Sequence, residues 1–410
     1  MSKEFIPVLR FSVCSDLHIG GPDYFGKEKL RKLFHICGKI VVEAPVYKRM
    51  DAYIFDGDST NDGTKEQYNA FWTEVVHAGV LDRTYHIVAK NHDNWEFGNS
   101  CVKTGLAYSR QIFGKDTDFH VVLNGFHFIG ISTCDEDGVY YSEKQLQWLD
   151  GCLQEAVAQN PERPVFVFQH EHVKNTVYGS FEEDGWGMDF FTDVLRKYPQ
   201  VVHFSGHSHY PLNDPRSVVQ KDFTAVGTGA MSYAEFTVDG ERKIHPDNHL
   251  LMAQGWIVEA DVQGNLLLHG MDYYSETELC RIELPAPMSK AAFTRTNDKL
   301  EAKAEAPVFP EDAAVSVQTV GDKWKVAFST AIGSPENPVF LYRINVCNDQ
   351  GQILWQTSLL HPYWYRSVKR QMSVMIPSQN GPCVIQIEAE NAFGRKSRTI
   401  QAEVIGHETA

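Results

Sequence analysis

No uninterrupted apolar stretch in this 410-residue chain approaches the length needed to cross a bilayer. The opening segment MSKEFIPVLRFSVCSD has no basic stretch leading into an apolar core. No membrane association is expected, and the cytoplasm is the expected compartment. Cysteine pairing is lacking too: the 8 cysteines, at 14, 37, 101, 134, 152, 280, 347 and 383, are scattered and form no CxxC. That usage reads as reduced thiols in a reducing compartment. Basic charge is short, with 38 Lys and Arg against 53 Asp and Glu and a net charge of −15. A nucleic-acid binder needs a basic footprint, so duplex binding is not expected. A small anionic substrate stays open, because bound metal ions reverse the field locally. Internal repeats and low-complexity tracts are also absent. At 43% hydrophobic residues the chain is too apolar for disorder. Its length suggests two domains.

What is present divides in two. Up to about residue 275, short β-branched and aromatic runs (8–15, 51–56, 84–90, 126–133, 164–169, 201–206 and 222–229) alternate with helical spacing at 27–44, 65–79, 142–159 and 187–198. Ser142 and Gln145 form a capping-box pattern for the third of these. Such alternation predicts an α/β domain over residues 1–275. Residues 276–310, rich in Pro, Ala, Lys and Glu, read as a linker. Residues 311–410 then carry seven short alternating runs with no helix between them, the pattern of a β-sandwich.

The chemistry lies at the ends of the runs in the first part. They deliver Asp16 and His18; Asp56 and Asp58 in GDSTND; Asn91, His92 and Asp93; His170; and His207 and His209. The C-terminal edge of an α/β sheet is where ligands bind, and Asp, Asn and His are a metal-ligand inventory. Each piece alone is more often a turn, a helix cap or a satisfied histidine than a ligand. Independent structural causes would not place so many ligand-type residues after successive strands.

The series Asp16-x-His18, Gly57-Asp58-x-x-Asn61, Asn91-His92-Asp93, His170, Gly206-His207-x-His209 resembles the calcineurin-like metallophosphoesterase superfamily, whose pattern is DxH, GDxxD/N, GNHD/E, H, GHxH. The resemblance covers about the first 270 residues. Asn61 stands where purple acid phosphatases have tyrosine, and the arginine of GDxxDRG is missing. The pattern is closest to the cyclic-nucleotide phosphodiesterase-like branch. Lys90 replaces the usual glycine before Asn-His, which leaves the local loop geometry open.

The resemblance implies a four-layer αββα sandwich holding two divalent metal ions. Asp16, His18, Asp58 and His209 would hold one ion. Asp58, Asn91, His170 and His207 would hold the other, with Asp58 shared. Mixed N/O ligands suit Mn, Fe or Zn better than Ca or Mg. The implied reaction is in-line attack by a metal-bridging hydroxide on a phosphodiester or a small phosphomonoester. His92, not needed as a ligand, would stabilise the developing charge or protonate the leaving oxygen. Asp93 would either orient His92 or cap the following turn.

Other residues have two readings each. Trp95, Phe97, Tyr178 and Trp186 either wall the substrate site or pack on their own domain, and packing is favoured. His172 either faces the pocket or lies on the surface. His127 and His203 are expected to be structural. Residues 311–410 resemble a fibronectin type III or related immunoglobulin-like module, through LYRINV and IEAENAFG, with Cys383 where the usual tyrosine falls. Its protein partner is unknown. The competing function is a metal-stabilised binding scaffold acting through the β-sandwich, and Lys90 is the feature that favours it.

Overall fold

The computed structural model describes residues 5–405 apart from 23, 95–101, 135–138, 335 and 365–367. The chain forms two compact units, Met1–Asn297 and Asp298–Ala410.

Two six-stranded sheets build the first unit. One contains β1 (Pro7–Cys14), β2 (Ala52–Asp56) and β3 (Thr84–Ile87) in parallel. It continues on the other side of β1 through antiparallel β14 (Gln254–Asp261), β15 (Leu266–Asp272) and β16 (Thr277–Leu284). The second sheet has order β10-β11-β9-β6-β5-β4, where β4 is Phe119–Leu123, β5 Phe126–Gly130, β6 Val165–Phe168, β9 Val201–Ser205, β10 Val218–Gln220 and β11 Thr224–Gly227. Its four central strands are parallel. Two small ribbons complete the unit: β7 (His172–Val173) with β8 (Gly187–Met188), and β12 (Phe236–Val238) with β13 (Glu241–Ile244).

Side-chain alternation explains the layering. Leu9, Phe11 and Val13 of β1 share one core with Phe128 of β5, Phe166 and Phe168 of β6, and Phe204 of β9, so the two sheets face each other. Phe11 meets Phe128 and Phe166 edge-on, at 4.9 and 4.8 Å between centroids. The opposite faces take helices. Tyr53 and Phe55 of β2 pack with Leu30 and Leu33 of α1 (Gly26–Glu43) and Phe71 of α2 (Lys65–His77). Val165 and Val167 of β6 pack with Leu149 and Leu153 of α4 (Glu143–Gln159). The result is the expected αββα sandwich. Ser142 and Gln145 form the expected capping box at α4.

Three sequence expectations fail here. The stretch 276–310 opens with β16, whose Ile282 and Leu284 are buried in the inter-sheet core, so it is not a plain linker. The helix expected over 187–198 shrinks to α5 (Thr192–Leu195), because Gly187–Met188 pairs with His172–Val173 instead. Helix α3 (Val102–Phe113) was not anticipated. Its Gly105 lies so close to the carbonyl of Asp93 and the side chain of Asn94 that a Cβ there would collide with both.

Helix α6 (Asn297–Lys303) begins at the boundary, and the described residues of the second unit contain seven antiparallel strands. One sheet holds β17 (Val315–Val320), β18 (Lys323–Ser329) and β21 (Gln371–Pro377). The other holds β19 (Val339–Asn348), β20 (Ile353–Leu360), β22 (Pro382–Asn391) and β23 (Ile400–Ile405). Trp324 and Phe328 of β18 share a core with Tyr342 and Ile344 of β19 and with Ile385 and Ile387 of β22, as a β-sandwich requires. All seven runs expected after residue 311 are strands.

Candidate metal centre

The parallel strands of both sheets end at one place. Loops after β1, β2 and β3 bring Asp16 and His18, Asp58, and Asn91 to His92; loops after β6 and β9 bring His170, His207 and His209. Backbone hydrogen bonds join these loops directly. Asp16 N–H donates to Gly57 O at 3.0 Å, His18 N–H to Asp58 O at 3.0 Å, and Gly206 N–H to His170 O at 2.9 Å. Five of the seven candidate ligands have left-handed backbones: Asp16 (φ 55°), His18 (47°), Asp58 (48°), His207 (70°) and His209 (57°). Non-glycine residues avoid that region, and such strain concentrates at functional sites. Gly57 (φ 89°) is required for a further reason: a Cβ there would strike the His170 ring.

The side-chain atoms converge. His170 Nε2 lies 3.1 Å from Asp58 Oδ2 and 3.8 Å from Asp16 Oδ1. His209 Nε2 lies 3.1 Å from Asp16 Oδ1 and 3.2 Å from His18 Nε2. Three groups are compact enough to hold an ion: Asp16, His18 and His209; Asp58, His170 and His207; and His18, Asp58 and His92. The first two are three-membered parts of the two expected ligand sets. Asn91 Oδ1 is buried and has no hydrogen-bond partner, as do Asp16 Oδ1, Asp58 Oδ1 and His170 Nε2. Buried polar atoms without partners are costly, and a bound cation would satisfy all four. The donor set therefore fits divalent metal.

Supporting contacts aim these atoms. His170 Nδ1–H donates to Asp56 O at 2.8 Å, which turns Nε2 toward the carboxylates. Asp16 Oδ2 accepts from Ser15 Oγ and from His207 N–H, leaving Oδ1 for the site. Electrostatics agree. Burial pushes His18 and His207 down to about 4, so both rings are neutral at neutral pH and can donate to a metal. Burial would also lower His170, but Asp58 and Asp16 hold it well above the usual histidine range. Burial opposes ionisation of Asp16 and Asp58, yet the neighbouring histidines hold both carboxyls low. A proton on His170 occupies a place where these carboxylates attract a cation.

His92 is half-buried at the rim, its ring 4.3 Å from that of His18. Its Nδ1–H donates to Asn61 O at 2.7 Å, so Asn61 acts through its backbone. Asp93, the next residue, is turned to the backbones of two loops. Its carboxylate accepts from Thr60 N–H (3.0 Å), Thr60 Oγ1 (3.1 Å) and Ala89 N–H (3.1 Å), and so ties the GDSTND loop to the Lys90 loop. Burial, then the nearby Asp58 carboxylate, pushes Asp93 up to about 7. These contacts give Asp93 a bracing role, beside the two expected of it. Lys90 does not have a left-handed backbone. Its ammonium donates to Val139 O and lies 4.6 Å from the Tyr140 ring centroid.

His172 is buried, not on the surface, and both its nitrogens are held, by Ser205 Oγ (2.8 Å) and Ser208 Oγ (2.7 Å). His127 pairs with His120 and Gln159, and His203 with Gln169. Tyr178 is core, under the Arg216 guanidinium at 3.9 Å, whereas Trp186 stands edge-on to His207 at 4.9 Å. Trp95 and Phe97 lie outside the described residues. Sequence reasoning passed over Ser15, Tyr24 and Tyr233, which no motif marks.

Residues 9–211 match the family model of the calcineurin-like phosphoesterases. That part of the chain belongs to this family. The first unit is accordingly a metal-dependent phosphoesterase, which the clustered His and Asp residues support. A relative from Arcobacter nitrofigilis, described as a probable glycerophosphodiester phosphodiesterase, is 28% identical over 204 residues, covering 48% of this chain and 70% of its own. The fold is similar to the purple acid phosphatase PPD1 of yellow lupin (Lupinus luteus), at 14% identity and a TM-score of 0.47 over 67% of this chain. The match spans 53% of the lupin chain, about half its length. GAP50, the anchor in the inner membrane complex of Plasmodium, matches at 12% identity and a TM-score of 0.44, over 67% of this chain and 88% of its own. Likenesses this distant carry no argument about activity.

Proposed function

We propose that the first unit is a dinuclear-metal phosphohydrolase whose substrates are phosphodiesters, with small phosphomonoesters as slower substrates. Asp58 carries the reading: its carboxylate belongs both to the group with His170 and His207 and to the group with His18. Asp16, His18, Asp58 and His209 would hold one ion, and Asp58, Asn91, His170 and His207 the other. The mixed nitrogen and oxygen donors favour Mn, Fe or Zn. When bound, two such ions lower the pKa of water and offset phosphoryl charge. His92, fixed by Asn61 O beside His18, holds the proton that the leaving oxygen needs. The relative's described activity is on a phosphodiester, which supports the diester preference.

The test is to strip the protein with a chelator, reload it with Mn, Fe or Zn, and compare bis-p-nitrophenyl phosphate with p-nitrophenyl phosphate. Metal-dependent turnover, faster on the diester, is expected. No turnover with any ion would return the account to the scaffold alternative. That alternative rested on Lys90. Lys90 has an ordinary backbone and contacts Val139 O and Tyr140, which supports the hydrolase reading over that alternative. A fibronectin type III-like second unit remains our assignment for residues 311–410, on the three-plus-four antiparallel strands.

A further inference from the structure

Aromatic side chains adjoin histidines of both candidate ion groups, and no motif accounts for them. At one group, the Tyr233 ring lies 4.2 Å from His209 and 6.1 Å from His18. Tyr24 lies 5.1 Å from Tyr233 and 6.1 Å from His18. Both tyrosines are half-buried. At the other group, half-buried Trp186 stands against His207, with the exposed Lys243 ammonium 5.2 Å from its ring centroid.

The position of Tyr233 is fixed by its backbone. Met231, Ser232 and Glu235 donate their N–H groups to Ser15 O (3.1 Å), Asp16 O (2.9 Å) and His209 O (3.1 Å). From the far side, the fully buried Lys29 donates its ammonium to Ser232 O. Burying a lysine is costly unless it is paired, and here the expense holds the Tyr233 segment against the loops that carry the candidate ligands.

A phosphomonoester has one ester arm and a phosphodiester has two. We propose that the two aromatic walls receive the two arms of a phosphodiester, and that Tyr233 and Tyr24 stack on a planar group of the leaving arm. This deepens the reading above and rests on it. The direction follows from His92. The group that meets the leaving oxygen packs on His18, and His18 is also the ring that Tyr24 and Tyr233 adjoin. The leaving arm therefore lies over the tyrosines, and the retained arm lies over Trp186 and Lys243. Tyrosine and tryptophan faces suit planar groups of any identity, so a nucleobase and a simple aryl ester share the required chemistry.

The experiment uses the metal-loaded full chain, Tyr233→Leu and Trp186→Leu, with metal content measured for each. Three substrates are compared: bis-p-nitrophenyl phosphate, methyl p-nitrophenyl phosphate and 5′-thymidyl p-nitrophenyl phosphate. Trp186→Leu should lower kcat/KM for the bis-aryl and thymidyl esters relative to the methyl ester, by roughly two- to tenfold. Tyr233→Leu should lower all three by a similar factor, since the leaving arm is the same. An equal loss from Trp186→Leu on all three substrates would overturn the assignment of the retained arm. An unchanged Tyr233→Leu with full metal would overturn that of the leaving arm. A larger Trp186 effect on the thymidyl ester than on the bis-aryl ester would point to a nucleobase; the reverse would point to an aryl group. A second readout needs no turnover. Calorimetry should show diphenyl phosphate binding more tightly than dimethyl phosphate, with each variant losing part of the difference. Equal binding of the two would refute the walls. Tighter diphenyl binding by a protein that hydrolyses nothing would refute the hydrolase reading and leave the walls standing.

Discussion

At the scale of single residues, His92 and Asp93 are neighbours with separate tasks. His92 faces His18 and takes its orientation from Asn61 O, whereas Asp93 binds Thr60 and Ala89. His92→Asn should keep fold and metal, and should lower kcat by about a hundred- to ten-thousand-fold, the range for a positioned general acid. The loss should be largest on alkyl leaving groups and smallest on nitrophenolate, which departs without needing a proton. Loss of a metal ion would make His92 a ligand, as its grouping with His18 and Asp58 permits. Asp93→Ala leaves the buried Thr60 and Ala89 N–H groups unpaired, at about 1–3 kcal/mol for each group left unsatisfied. Chemical denaturation should show that loss, and the dependence on leaving group should stay that of the parent. A dependence matching His92→Asn would restore an orienting role. The identities of the candidate ligands were readable in the sequence, because each sits just past an apolar run. What Asp93 does was not readable, since its partner Thr60 is fixed only when two loops meet.

At the scale of elements, the parallel strands and their loops were the clearest part of the sequence, and the antiparallel half of the first sheet was the least clear. β16 is an edge strand with Ile282 and Leu284 buried and Glu278, Arg281 and Glu283 exposed, so its composition imitates a linker. A chain ending at Asn297 should fold cooperatively and keep its metal. One ending at Ser275 loses Ile282, Leu284 and Met288 from the inter-sheet core and should aggregate or unfold. Equal melting of the two chains would contradict this account of the core. Helix α1 supplies a pH test. Burial lowers the Lys29 ammonium to about 7, against the opposing pull of Asp272 and Glu28. An unfolded lysine titrates near 10.4, roughly. Between those values the unfolded chain holds a proton that the folded chain has released, so this group makes stability rise with pH. Lys29→Met removes that rise. The melting temperature of the variant minus that of the parent should therefore fall between pH 7 and pH 9.5; a constant difference would show that Lys29 keeps its ordinary affinity for protons.

At the scale of the whole molecule, a chain with a net charge of −15 draws its chemistry from a small region where both sheets of the first unit end. No helix among the described residues is long and apolar enough to cross a membrane. The seven-strand second unit was readable because each strand alternates and no helix interrupts them. Of the proposed aromatic walls, Trp186 was a candidate in the sequence, whereas Tyr24 and Tyr233 were not, because they come from distant loops and share no spacing. The account depends most on Asp58 being shared between two ions. Elemental analysis of Asp58→Ala beside the parent protein, both loaded with manganese and desalted, tests this directly. The account predicts about two ions per chain in the parent and one or none in the variant. Full occupancy in the variant would contradict it.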